Sequence, residues 1–514
     1  MSNRTVITRM PAPKITLTPE QKDIVATEIK AGQTMKILAF AGCTKTTTLR
    51  AYTMARPKMP FLYMAYNTAA AADARETFPP NVKCSTSHAL AYGKFGFRYK
   101  NAGKLGFIKP PDIREAAAVS SYPVAKFIID VLNKFLASAD PDIDKQHLVL
   151  DKEASLDEFL AKKDDVTVKY LLTKTRLVWK KMQDVNDTSL NMTHDGYLKM
   201  FQLSNPVLDY HTIMLDEAHD TNDVVLDIFN KQKCAKIAVG DTHQSIYDFR
   251  WAENALDKIP SDIEKRLTGS FRFGDAVSGV ANDLLLNMKN EKAKVIGLSK
   301  GDAIGLIDER QPYTIIARTN GELFARAVAL LERSSRPSFG WVGTREQDNW
   351  NPYNHYFFDR IMDIYNLYTN NRGSIKDSYI KKFTSFADFM GIIQDKDAPD
   401  IELQARAGVV LKYSHDVPTL ISRIVANSIN PRQSQISFVT AHRSKGLEFN
   451  QVLLTDDFTP LIIPDEVSKL PRLANGDDVN PQEFNLWYVA ATRAKKKLQI
   501  NPKLDTFLKF IKCQ

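Results

Sequence analysis

Residues 39–48 read AFAGCTKTTT and follow the apolar stretch that starts at Lys36. A short apolar strand, a tight turn, a lysine and then hydroxyls opening a helix is the layout of a loop that holds phosphate on backbone N–H groups at a helix N-terminus. In such a loop Lys45 reaches the β- and γ-phosphates and the Thr46 hydroxyl ligates magnesium. Gly42, Cys43, Thr44 and Thr47 complete the cradle. One position breaks the pattern. The residue before the lysine is normally glycine, and here it is Thr44. Glycine adopts positive φ freely, whereas a β-branched residue there is an outlier. Strain of this kind costs on the order of 1–3 kcal/mol, roughly a 5- to 150-fold loss of affinity. Two outcomes stay open: the loop tolerates threonine and hydrolysis survives, or it binds without turning over.

The chain has 514 residues, enough for two to four domains. With 44% hydrophobic and 25% charged residues it has a globular rather than a disordered composition. The formal charge of +9 suits a polyanionic partner but is modest for this length, so charge alone does not choose one. Cys43, Cys84, Cys234 and Cys513 are far apart and make no CxxC pair. That spacing argues against zinc and against a disulfide framework, and it fits a reducing compartment. No apolar run reaches the length of a membrane span, and residues 1–14 lack the apolar core of a secretory signal. The expectation is an intracellular, soluble protein of cytoplasm, nucleoid or nucleus, without a membrane partner.

Short apolar runs at 36–40, 61–65, 212–215, 236–239, 313–317, 436–439 and 451–454 alternate with helical patterns. Their abrupt polar endings predict buried parallel strands with functional loops at their carboxyl ends, an α/β fold. Residues 94–192 and 345–432 break the alternation with mainly helical patterns and read as insertions.

IMLDEAHD (213–220) delivers Asp216 and Glu217 at the end of an apolar run. A nucleotide-bound magnesium needs one carboxylate, here Asp216, and an attacking water needs a base or orienter, here Glu217. VGDTHQSIYDFRWA (239–252) offers Gln244 as a γ-phosphate sensor, and Tyr247 and Phe249 as rings that could stack on bases or pack in a core. TAHRSKGLEF (440–449) and YVAATRAKK (488–496) add basic residues, with Arg493 on a helix. An arginine from a second domain stabilises charge in phosphoryl transfer.

The ordered set AFAGCTKT, DEAHD, GDTHQSIYDFR, SFR, TAHRSKGLEF and YVAATRA resembles the UvrD/Rep/PcrA helicases of superfamily 1. NVKCSTSHALAYG (81–93), MTHDGYLKMFQLS (192–204) and LTGSFRFG (267–274) resemble the helicase core of the F-box DNA helicases. The resemblance implies two RecA-like P-loop domains with parallel sheets, each carrying a mostly helical insertion: 1–93 with 193–270, interrupted by 94–192, and 271–344 with 433–514, interrupted by 345–432. It implies ATP and Mg2+ between them, and single-stranded DNA or single-strand/duplex junctions across their top, with 3′→5′ stepping. Gln21 matches the adenine-reading glutamine, Phe271 the ring on adenine, Arg272 the arginine finger, Glu448 the ribose contact and Arg493 the second γ-phosphate arginine. Tyr66, Asn67, Thr86, His88, Phe249, Arg250, Thr440 and His442 match DNA-facing or coupling positions.

Besides Thr44, the chain has Trp251 where the family text is FRGA, and His219 where DEAQD is usual. Trp251 is expected to pack between domains, and the change at 219 to be mild. About 16 residues precede LTPEQ, leaving no room for an F-box, and the end soon after YVAATRAKK leaves none for a nuclease. The main expectation is an ATP-dependent DNA translocase and helicase. Its rival is a DNA-binding or scaffold protein of helicase fold, impaired in ATPase by Thr44. A small-molecule P-loop kinase is disfavoured, because it would have no use for TAHRSKGLEF and YVAATRAKK.

Overall fold

A computed structural model describes residues 16–148, 160, 166–246, 255–333, 338–377, 379–394, 400–465 and 468–513. All seven apolar runs are strands. The first sheet contains β1 (Thr34–Ala39), β2 (Phe61–Ala65), β3 (Val82–Thr86), β4 (Thr212–Leu215), β5 (Ala235–Gly240) and β6 (Ile263–Leu267). Their order is β3-β2-β4-β5-β1-β6, and every pair is parallel. The apolar runs did not single out β3 and β6, and both are edge strands. With less surface to bury, VKCST and IEKRL are less uniformly apolar than the central strands of this sheet. A second, all-parallel sheet runs in the order Ser428–Ile429, Phe339–Trp341, Ile436–Thr440, Tyr313–Ala317, Phe449–Leu454, Ala494–Gln499, Ala303–Ile304.

The two-residue period of a strand decides what covers each face. In β2, Phe61, Tyr63 and Ala65 enter one core while Leu62 and Met64 enter another. The second core is closed by helices Tyr122–Ala137 and Val168–Gln183, through Phe127, Val131, Phe135 and Trp179. The helical stretch after residue 94 is therefore the cover of one sheet face. The second sheet repeats the arrangement. Tyr313, Ile315 and Ala317 pack with residues of helices Phe358–Tyr368 and Ile401–Tyr413. Ile316 joins the first core instead, which runs on through Val277 and Leu284 of helix Asp275–Lys289 to Trp487 and Val489 of helix Pro481–Ala491.

This topology positions the loops. β4, β5 and β1 are neighbours and parallel, so the segments after Leu215, Gly240 and Ala39 emerge side by side. The loops after β2 and β3 emerge along the same edge, toward its end.

Candidate nucleotide site at the strand ends

Gly42 has φ 76°, and a Cβ there would sit 2.4 Å from Ser270 Oγ and 2.8 Å from Arg272 Cβ. The turn needs glycine both for its angle and for the close approach of residues 270–272. Thr44 has φ 51° and ψ 47°, the left-handed conformation that its β-branched side chain disfavours. It precedes α2 (Lys45–Met54), yet its hydroxyl does not cap that helix. Instead Thr44 Oγ1 accepts from Gln21 Nε2 at 2.9 Å, and Gln21 Nε2 also donates to Thr48 Oγ1 at 2.9 Å. Gln21 belongs to α1 (Pro19–Ala26), where it forms a capping box with Thr18. Cys43 is buried, and burial first, then Asp241, pushes its thiol up. Thr47 lies in the first turn of α2.

Lys45 Nζ is 3.3 Å from Glu217 Oε1. Burial alone would lower the Lys45 pKa, but Glu217, Asp241 and Asp216 outweigh it and the pKa is raised. Thr46 Oγ1 donates to Asp216 Oδ2 at 2.9 Å, and the Tyr63 hydroxyl donates to the same oxygen at 2.5 Å. The Glu217 N–H donates to Asp216 Oδ1 at 2.9 Å. Burial, then the charge of Glu217, raises the Asp216 pKa against the pull of Lys45 and the two hydroxyls. Glu217 is also left-handed, with φ 49°, and its partly exposed carboxylate turns toward Lys45.

Two hard oxygens, Thr46 Oγ1 and an Asp216 carboxylate oxygen, meet beside a lysine at a helix N-terminus. That donor set fits magnesium held jointly with phosphate oxygens. When bound, magnesium triphosphate supplies the transferable phosphoryl group and a counter-charge.

The third loop is tied to the second sheet. Gln244 Nε2 donates to Asp241 Oδ2 at 2.5 Å, and its Oε1 accepts from Arg493 Nη2 at 3.4 Å. The Tyr488 hydroxyl accepts from the Ala41 N–H at 3.0 Å and donates to Asp241 Oδ2 at 3.2 Å. Arg493 lies not on a helix but in the turn between helix Pro481–Ala491 and strand Ala494–Gln499, and it is fully buried, donating also to Val489 O, Leu447 O and Thr492 Oγ1. Burial, then the charge of Arg272, disfavours its cation, so an anion beside it is strongly favoured. Arg272 Nε lies 3.3 Å from Glu448 Oε2 and its Nη1 donates to Thr492 O, while Lys495 holds the other Glu448 oxygen at 2.9 Å. Phe271 is 43% exposed, and its N–H donates to Gly42 O at 3.0 Å.

His219 joins this network. Its Nδ1 accepts from the Asp241 N–H at 3.1 Å, and its Nε2 is 3.1 Å from Lys445 Nζ. Lys445 also lies 2.6 Å from Asp220 Oδ2. Burial, then Lys445 and Lys45, lowers the His219 pKa, and burial pushes Asp220 up to about 6 against the pull of Lys445.

The residues matched to DNA-facing positions sit mostly at other strand ends. Tyr66 follows β2 and is 39% exposed. Asn67 caps α3 (Thr68–Thr77), accepting from the Ala70 N–H at 2.8 Å, and Thr86 caps α4 (Ser87–Ala91), accepting from the Ala89 N–H at 3.1 Å. His88 Nε2 is 2.9 Å from Asp195 Oδ1, with both side chains exposed. Thr440 is buried and caps helix Ala441–Ser444. His442 is pushed down to about 4, by burial first and then by Arg318. Phe249, Arg250 and Trp251, with Tyr247, lie outside the described residues.

Sequence reasoning did not single out Tyr63, Asp241, Tyr488 or Lys445. A signal existed for the two tyrosines, since a phenol in a buried apolar run needs a polar partner.

Residues 154–503 match the UvrD-like helicase C-terminal domain family. The chain belongs to the UvrD-like helicases. Residues 21–250 also match an AAA domain family. F-box DNA helicase 1 of Gallus gallus is 32% identical over 521 residues, spanning 96% of this chain and 50% of that protein. F-box DNA helicase protein 1 of Schizosaccharomyces pombe is 31% identical over 537 residues, spanning 96% and 58%. Gabija protein GajB of Bacillus cereus is 24% identical over 336 residues, spanning 56% and 63%. The chain thus spans 50% to 58% of the length of the F-box relatives it matches. Among the described residues no helix is long and apolar enough to cross a membrane.

Proposed function

We propose that this chain is an ATP-dependent single-stranded-DNA translocase and DNA helicase that steps 3′→5′ and acts at single-strand/duplex junctions inside the cell. One observation carries the reading. Lys45 meets Glu217, Thr46 meets Asp216 and the Glu217 N–H meets Asp216, while Gln244 is bonded to Arg493 from the turn that leads into the other sheet. Lys45 and the helix N-terminus hold the phosphates, Thr46 and Asp216 hold Mg2+, and Glu217 orients the attacking water. Arg272 and Arg493 offset charge that develops on the phosphoryl group. Phe271 and Glu448 flank the nucleoside. Two RecA-like domains, 1–93 with 193–270 and 271–344 with 433–514, close on ATP and reopen after hydrolysis. Tyr66, Asn67, Thr86, His88, Phe249, Arg250, Thr440 and His442 grip the strand alternately. The F-box relatives named as DNA helicases, aligned over 96% of this chain, support the reading.

The left-handed Thr44 favours a second reading, a DNA-binding protein whose ATPase is impaired. ATP hydrolysis with and without single-stranded DNA, in the parent and in Thr44→Gly, separates the two. DNA-stimulated turnover in the parent supports the motor. Turnover only in Thr44→Gly supports the impaired form, and turnover in neither removes the motor reading.

A further inference from the structure

We propose that Thr44 converts Gln21 from a reader of the base into a strut of the phosphate loop, so that this chain accepts nucleoside triphosphates with little discrimination between bases. The proposal rests on reading residues 40–48 as a triphosphate site.

A carboxamide has two N–H hydrogens and one acceptor oxygen. Both Gln21 hydrogens are committed, one to Thr44 Oγ1 and one to Thr48 Oγ1, each at 2.9 Å. Its oxygen accepts from the Thr18 N–H at 2.9 Å and keeps one lone pair. Paired recognition of adenine by glutamine needs both halves of the amide: the oxygen for the N6 hydrogen, and an N–H for N7. The donor half is spent on the protein itself and the oxygen is already bonded within the capping box at a 2% exposed residue, so the amide does not present the pair that adenine needs.

That commitment is not easily reversed. Gln21 is 2% exposed and Thr48 is fully buried, so a hydrogen moved to a base strips a partner from a hydroxyl in or beside the core. Nor can α1 readily shift to remake the pairing. Its Glu20 accepts from both the N–H and the hydroxyl of Thr268 at 2.7 Å, and its Asp23 lies 2.6 Å from Lys265 Nζ. Glycine at position 44 would have no hydroxyl, and one Gln21 hydrogen would then face the site. The bond also supports a residue held in a conformation its side chain resists. The base contact that remains is Phe271, whose partly exposed ring is anchored through its N–H to Gly42 O. Stacking on a ring is tolerant, because every base has a π-face.

The test is equilibrium binding, with Mg2+, of non-hydrolysable ATP and GTP analogues and of inorganic tripolyphosphate. The proteins are the full chain and its Thr44→Gly, Thr44→Ser, Gln21→Ala and Thr44→Gly/Gln21→Ala variants. The expected result is that the parent and Thr44→Ser hold the two analogues within about threefold. Thr44→Gly should come to prefer the adenine analogue by up to about tenfold, the net worth of one neutral hydrogen bond. Gln21→Ala in the parent should weaken all three ligands alike, tripolyphosphate included. In the Thr44→Gly background it should affect the adenine analogue alone. A parent that prefers the adenine analogue tenfold or more, and loses that preference in Gln21→Ala with tripolyphosphate binding unchanged, overturns the proposal and leaves the site intact. If neither the parent nor Thr44→Gly binds any of the three, the triphosphate site falls, and the proposal falls with it.

Discussion

At the ends of β1, β4 and β5, polar side chains are largely buried, and their bonds include ones that join residues 170 positions apart (Thr46 to Asp216) and 447 apart (Ala41 to Tyr488). At the ends of β2 and β3 they are more exposed, and the caps reach only three residues ahead, Asn67 to Ala70 and Thr86 to Ala89. One sheet edge thus carries two kinds of surface. The first has its geometry set before any ligand arrives, which is what stabilising a transient charge requires. The second is held chiefly by caps on its own helices, with the exposed His88–Asp195 pair as a long-range tie, which suits a strand that must be gripped and released. Substitutions in the first should be felt through partners in the other half of the chain, and those in the second should stay local.

The largest effect should come from Lys45→Ala. It removes the cation facing Glu217 from the phosphate loop. ATP turnover should fall by at least about 10²-fold, while single-stranded-DNA affinity, followed by fluorescence anisotropy, holds. Parental turnover would break the comparison at its first term.

Tyr488→Phe comes next. The lost hydroxyl leaves the buried Ala41 N–H without its acceptor and Asp241 without a donor. An orphaned buried group costs about 1–3 kcal/mol. The melting temperature should drop, and the ratio of DNA-stimulated to basal ATPase should drop with it, because this phenol is bonded to the phosphate loop from helix Pro481–Ala491, which packs with the second half of the chain. A variant that loses stability and keeps its stimulation ratio would make Tyr488 a packing residue alone.

A pH effect of similar or smaller size should come from His442. Burial first, then Arg318 and Lys445, pushes its folded pKa down to about 4 from the ordinary 6.5, against the pull of Glu483. As pH falls, the unfolded chain takes up the proton first. The stabilisation is full above pH 6.5 and is lost progressively toward pH 4, on the order of 3 kcal/mol. Asp220, raised to about 6 by burial, acts in the opposite sense over nearly the same window. The measurement is therefore the difference in unfolding free energy between the parent and His442→Gln across this window. No difference in slope would remove the histidine's contribution.

What the sequence made legible follows the same division. Lys45, Thr46, Asp216 and Glu217 could be read because each stands at a set distance from the end of an apolar strand, and chain connectivity enforces that distance. The central strands of the first sheet could be read because burial on both faces demands apolar runs, whereas in the second sheet the interior strands Phe339–Trp341 and Ala494–Gln499 escaped, one for its shortness and the other for its three lysines. β3 and β6 escaped because edge strands face no such demand. Tyr63, Asp241, Tyr488 and Lys445 escaped because their partners are chosen by the fold, far along the chain. Gln21 shows the limit most clearly. Its place in LTPEQ is legible, but where its hydrogens go depends on the hydroxyl at Thr44, and only the left-handed turn brings that within reach.

The smallest effect belongs to the local surface, and there two roles of one residue can be separated. Asn67 accepts the Ala70 N–H through its side-chain oxygen, which turns its NH2 group away from that bond and toward the outside. Asn67→Ala loses both functions. The lost cap should lower stability by about 1 kcal/mol, and DNA binding should weaken. Asn67→Asp keeps the cap, since aspartate serves as well as asparagine there, but it replaces the NH2 donors with a negative charge. Its melting temperature should match the parent's, while its affinity for single-stranded DNA should fall more than in Asn67→Ala, because a carboxylate repels phosphate where a methyl is merely absent. Should Asn67→Asp bind DNA as the parent does, Asn67 is a cap and nothing more, and the DNA-facing surface at β2 reduces to Tyr66.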